Sequence, residues 1–146
     1  MHFTRWWNPS LPQTVSVAAL LLYFEGVSSL LLLLGIPLGG SAYVFLPHVL
    51  GLSSVRLSNP STLPVLAVFA SGVAYIFAAL AIVNGKRLGW KIGTGVAIGA
   101  VVIPLLAGGL GLVLGSTYVI SYVFGIALVA LLLHPMTREY QKIWLE

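Results

Sequence analysis

The sequence predicts an all-α membrane protein, with four transmembrane helices in a bundle and a short interfacial helix at the C-terminus. Three observations carry that prediction. The chain is 59% hydrophobic and only 7% charged, with a mean hydropathy of +1.04, whereas soluble domains carry about 25% charged residues. At 146 residues, burying so much apolar surface in water is not feasible. Apolar blocks recur at about 14–38, 64–84, 88–107 and 113–133, each near the roughly 20 residues that a spanning helix needs. Finally, the basic residues sort by side. Arg5, Lys86, Arg87, Lys91, Arg138 and Lys142 fall together in a four-span arrangement, and Arg56 alone falls opposite. An odd number of spans would split the basic groups, so the positive-inside bias places both termini in the cytoplasm.

Helices are chosen over a barrel because runs such as Leu30–Leu34 lack the alternation of lipid-exposed strands. The N-terminal Arg5-Trp6-Trp7 reads as an aromatic anchor at a headgroup boundary. Arg5 before an apolar stretch imitates a secretory signal, but the stretch exceeds the about 7–15 residues of a signal core. Gly39-Gly40-Ser41-Ala42 supplies the small residues that keep a cleavage site open as an alternative. The outer loop, 40–63, begins with an apolar aromatic half and ends in turn chemistry at Asn59-Pro60, which breaks regular structure.

Helix 2 carries Ser71, Ala74 and Ala78 on one face. Helix 3 carries Gly89-x-x-x-Gly93 and Gly95-x-x-x-Gly99. Small residues at this spacing let helix backbones approach closely in lipid, so helices 2 and 3 are expected to make the tightest contact. Trp90, just inside helix 3, is expected at the interface. The uncharged Gly108–Ser116 connection is expected to be a tight hairpin or a re-entrant segment, with Pro104 as a possible kink. The tail, 134–146, begins at His134-Pro135. Its Met136, Tyr140, Ile143 and Trp144 form one apolar stripe with Arg138 and Lys142 off it. That pattern, with proline at the first helical position, predicts a short surface helix anchored by Tyr140 and Trp144.

One residue stands out chemically. Glu25 lies near the middle of the first apolar block, and the other acidic residues, Glu139 and Glu146, lie in the tail. A carboxyl at such depth must turn inward, pair, or stay neutral, and such residues are commonly functional. Ser28 and Ser29, at i+3 and i+4, share its side of a helix. Glu25, Ser28 and Ser29 therefore form the candidate intramembrane polar site. Two roles are open for it: a proton or cation path, or a structural acid hydrogen-bonded to a serine or a neighbouring helix.

Much else is excluded. There is no cysteine and no aspartate, so thiolate chemistry, Cys-ligated zinc and iron–sulfur clusters are ruled out. His2, His48 and His134 are too dispersed for a zinc or haem site. No catalytic triad, phosphate loop or carboxylate pair is present, so no catalytic residue, metal or cofactor is expected. The basic balance is accounted for by topology rather than by nucleic acid.

Leu131-Leu132-Leu133-His134-Pro135-Met136-Thr137-Arg138-Glu139-Tyr140 resembles the ending of a recurring class of small bacterial four-span membrane proteins of unknown function. The basic turn Asn84-Gly85-Lys86-Arg87-Leu88-Gly89-Trp90 is similar to theirs as well. The resemblance covers these two stretches and the general layout. It implies a bacterial inner-membrane location and brings no activity.

The expected function is that of a non-catalytic accessory or structural subunit packing against membrane lipids and other membrane proteins or itself. The alternative is a small oligomeric channel or carrier with Glu25 on the path. The topology has a direct check. Reporter fusions at the C-terminus and within 40–63 are expected to report cytoplasm and exterior respectively; same-side signals would contradict four spans.

Overall fold

The structure is a computed structural model and describes residues 5–33, 63–114 and 119–144. Among these residues it is all-α, with five helices and no strand. They are α1 (Gln13–Leu33), α2 (Leu63–Val83), α3 (Arg87–Leu114), α4 (Val119–Leu133) and α5 (Pro135–Trp144). By length and composition, Gln13–Leu31 in α1 and Leu66–Val83 in α2 are each sufficient to cross a membrane. The apolar part of α4, Tyr122–Leu133, is shorter. The expected outer loop lies outside the described residues, as does the C-terminal end of the first expected span.

α2 ends in a Schellman motif. The Gly85 N–H donates to the Ile82 carbonyl at 3.0 Å and the Lys86 N–H to the Ala81 carbonyl at 2.7 Å. Gly85 takes φ +73°, a left-handed value that glycine adopts without a Cβ penalty. α3 runs to Leu114 with a break at Gly109, which takes φ +62° and ψ −167°. The part before the break ends close to the expected boundary at residue 107, the chain kinks within the expected Gly108–Ser116 connection, and residues 110–114 are helical again. The break falls at Gly109, since only glycine takes that φ readily.

α5 begins at Pro135 as its spacing predicts. His134 caps it: its Nδ1 accepts the Met136 N–H at 3.2 Å, satisfying one of the donors that a helix start leaves open. The Thr137 hydroxyl donates to the Leu131 carbonyl at 2.7 Å, and its oxygen stands 3.3 Å from the Thr14 hydroxyl. The face of α5 turned to the bundle is therefore polar, with Thr137 and Gln141 buried and Met136, Ile143 and Trp144 exposed.

Two backbone approaches set the packing. A Cβ on Gly26 of α1 would fall 2.5 Å from Ile76 Cγ1 and 2.9 Å from the Gly72 carbonyl of α2. A Cβ on Gly89 of α3 would fall 2.7 Å from both the Ala78 carbonyl and the Ile82 nitrogen. Gly93 is also packed, 3.3 Å in the same sense from Ala78 Cβ and Leu22 Cδ1. The Gly95–Gly99 half of the expected face is not at this contact. Among the described residues a Cβ on Gly95 would meet nothing within 4 Å, and one on Gly99 only Ile103 of its own helix at 3.8 Å. Gly95 is two residues past Gly93, about 200° round the helix, so one α3 face cannot present both pairs to α2. Ser71 and Ala74 of α2 are half-buried and Ala78 is fully buried.

The interior mixes small and large side chains, and the exterior is apolar as well. Ala18, Ala19, Ala78, Ala79 and Ala81 are buried beside Leu22, Tyr75, Ile82, Leu128 and Leu132, while Leu20, Phe24, Leu66, Phe69, Leu106 and Phe124 are exposed. Two substitutions of identical chemistry separate the faces. Gly89→Ala is expected to destabilise by about 1–3 kcal/mol, because backbone blocks the new methyl. Gly95→Ala is expected to be neutral or stabilising by up to about 1 kcal/mol through helix propensity. Thermal melts in detergent by circular dichroism check this, and equal effects would contradict the assigned faces.

Candidate functional site

Glu25 is 1% exposed. It immediately precedes Gly26, so the close crossing with α2 draws it into the bundle rather than leaving it on the apolar outer stripe of Leu20, Phe24 and Val27. Ser28 and Ser29, on the same helix, are fully buried. The Ser29 hydroxyl donates to the main-chain carbonyl of Glu25 at 2.7 Å, the usual i−4 back-bond of a helical serine. It serves the backbone rather than the carboxyl. The Ser28 hydroxyl has no hydrogen-bond partner among the described residues.

The structure adds two residues that sequence reasoning missed. Tyr75 of α2, one position before Ile76 at the crossing, is fully buried, and its hydroxyl is enclosed with it. That hydroxyl, like the Thr94 hydroxyl of α3, is buried without a hydrogen-bond partner among the described residues. Thr94 shares a helical stripe with Trp90 and Val101, both directed at α4. The Trp90 indole N–H donates to the Leu132 carbonyl at 3.0 Å, and Val101 Cγ2 lies 3.4 Å from where a Cβ on Gly125 would stand. The enclosed polar groups are thus Glu25, Ser28 and Tyr75 beside the α1–α2 crossing, with Thr94 towards α4. An aromatic and a threonine inside apolar runs give no sequence signal of this kind, since either is unremarkable on a lipid-facing surface.

The expected interfacial anchors divide. Trp6 is 77% exposed and its carbonyl accepts the Tyr23 hydroxyl at 2.9 Å, so the N-terminal segment is tied back along α1. Trp7 is half-buried. The indole N–H of Trp90 is taken by the Leu132 carbonyl, so this side chain joins α3 to α4. Tyr140 is half-buried and Trp144 exposed. At the same end, the Asn84 side chain binds Arg5 twice: it accepts the Arg5 N–H at 3.1 Å and donates to the Arg5 carbonyl at 2.6 Å.

Among the described residues no group of three or more His, Cys, Asp or Glu side chains is placed to hold a metal ion. The chain matches no protein-family model, no curated protein and no solved structure.

The unpartnered hydroxyls make the interior testable. Tyr75→Phe removes a buried hydroxyl that costs about 1–3 kcal/mol when unsatisfied, so stability is expected to hold or rise. Glu25→Gln keeps shape and polar character and is expected to fold, whereas Glu25→Ala leaves a cavity and is expected to lower the melting temperature. A marked loss on Tyr75→Phe would mean that the hydroxyl has a bound partner.

Proposed function

We propose that the chain is a four-span protein of the bacterial inner membrane, with both termini cytoplasmic, and that it serves as a non-catalytic accessory subunit packing against other membrane proteins or itself. The observation that carries this reading is the outward apolar surface. Leucine, phenylalanine and isoleucine face outward from α1, α2, α3 and α4, around an interior of leucine, valine, isoleucine and alanine that also encloses a carboxyl and several hydroxyls. Water would penalise such a surface, whereas lipid is its natural solvent. The N-terminal segment, the α2–α3 turn and α5 meet at one end, bringing Arg5, Lys86, Arg87, Arg138 and Lys142 to one side, as the positive-inside bias requires.

Enclosure of Glu25 by the chain's own helices supports a structural role for it. The second reading, a small oligomeric channel or carrier, is favoured by one observation: the Ser28 hydroxyl, one helical turn from Glu25, and the Tyr75 hydroxyl of the facing helix are buried without hydrogen-bond partners among the described residues, and hydroxyls can pass protons. Two measurements separate the readings. Purification in mild detergent is expected to bring down a reproducible membrane-protein partner or a defined homo-oligomer. Reconstituted vesicles are expected to show no proton flux that Glu25→Gln removes. A flux lost in Glu25→Gln with folding intact would overturn the accessory reading in favour of conduction.

A further inference from the structure

The basic end of the bundle holds a cavity of about 330 Å³, lined by Arg5, Asn8, Asn84, Gly85, Tyr140 and Trp144 together with the edge of α2. Three distant pieces of chain build it: the N-terminal segment, the α2–α3 turn and α5. Its position is fixed by main-chain contacts. Asn84 pins both the N–H and the carbonyl of Arg5 and also donates to the Leu80 carbonyl at 2.8 Å. A Cβ on Gly85 would stand 3.8 Å from the Trp144 carbonyl. The guanidinium of Arg5 therefore starts from a fixed point at the cavity wall.

The chemistry of the lining is one-sided. The Asn8 Oδ1 is taken by the Ser10 N–H at 3.1 Å and the Ser10 hydroxyl at 2.7 Å, which leaves its NH₂ as the open part of the amide. Asn84 is occupied with Arg5 and Leu80. Tyr140 brings a hydroxyl, and burial pushes its pKa above the usual value, so it remains a neutral donor at physiological pH. Trp144 brings an indole N–H, which only donates. Arg5 brings the charged fork that suits phosphate oxygens. Among the described residues no carboxylate lines the cavity. Lys86 and Arg87 follow directly on the Gly85 turn and add positive potential. The volume lies at the small end of ligand sites, about 300–1,000 Å³, which suits a headgroup rather than a large organic ligand. Trp144, exposed, lines the cavity with aromatic surface of the kind found at headgroup level.

We infer that this cavity is a phosphate-binding site, occupied by the headgroup of an anionic phospholipid held by Arg5 and the donors of Asn8, Tyr140 and Trp144. The lipid source rests on the membrane reading, whereas the phosphate chemistry does not. The test uses the full chain in detergent and counts bound lipid by native mass spectrometry. The probes are dioleoyl phosphatidylglycerol, the zwitterionic phosphatidylcholine analogue and, separately, inorganic phosphate. Wild type is expected to bind phosphatidylglycerol in preference to phosphatidylcholine. Arg5→Gln is expected to weaken that binding about tenfold. Asn8→Asp keeps the acceptor for Ser10 but places a carboxylate at the wall, and is expected to weaken it at least as much, so it reports even where Arg5→Gln fails to fold. Arg138→Gln, an exposed cation outside the lining, is expected to change binding less than about twofold if screened surface charge contributes little. An effect of Arg138→Gln equal to that of Arg5→Gln, or no loss in Asn8→Asp, would overturn the site. Arg5-dependent binding of inorganic phosphate without any phosphatidylglycerol preference would overturn the lipid source and leave a soluble phosphate compound as the ligand.

Discussion

At the crossing of α1 and α2 there is no room for a methyl group. Gly26 faces the Gly72 carbonyl and Ile76 so closely that an added Cβ would meet the latter at 2.5 Å. The rest of the bundle depends on this approach. It brings Glu25 and Tyr75, each next to a crossing residue, into the interior together. It also sets the spacing at which Gly89 and Gly93 of α3 seat against Ala78. Close backbone approach gains dispersion contacts that larger side chains would hold apart. On the membrane reading, such contacts replace the hydrophobic drive that closes a soluble core.

The interior that results combines an apolar core with enclosed hydroxyls and a carboxyl. Ser29 returns its hydroxyl to its own helix, Trp90 donates to the end of α4, and Thr137 donates to the last turn of α4. These bonds answer backbone carbonyls that lipid could not. Ser28, Tyr75 and Thr94 are the exceptions among the described residues. Buried polar atoms without partners are rare and call for a reason such as an ordered water or a functional role. Two of the three lie beside Glu25, which is why that region, rather than the better satisfied α3–α4 contact, is the candidate site.

Much of the fold was legible in the sequence, for identifiable reasons. The long apolar runs of α1 and α2 follow from composition alone. The start of α5 follows from a proline after a leucine run, and the shared end of the cations from their sequence positions. The close face of α3 was half legible. Gly89–Gly93 and Gly95–Gly99 have the same spacing, and spacing cannot say which pair meets a neighbour; that depends on helix rotation, which tertiary packing sets. The helical residues beyond the Gly109 break were hidden because a glycine-rich uncharged stretch carries no strong helix preference. Glu25 declared itself by depth. Its surroundings did not, because serine, tyrosine and threonine are each ordinary in an apolar helix, and only the fold reveals which hydroxyls lose every partner.

The central claim is that this bundle is built for lipid, with its large outward-facing apolar side chains meeting hydrocarbon rather than water. The chain has no cysteine, so single cysteines can carry spin labels without background. The decisive measurement is collision of labels at Phe24→Cys and Phe69→Cys with oxygen and with an aqueous nickel chelate, in reconstituted vesicles, against Arg138→Cys. The account predicts that oxygen reaches the Phe24 and Phe69 positions while the chelate is excluded, and that the chelate reaches Arg138. Free access of the chelate to Phe24 and Phe69 would contradict it.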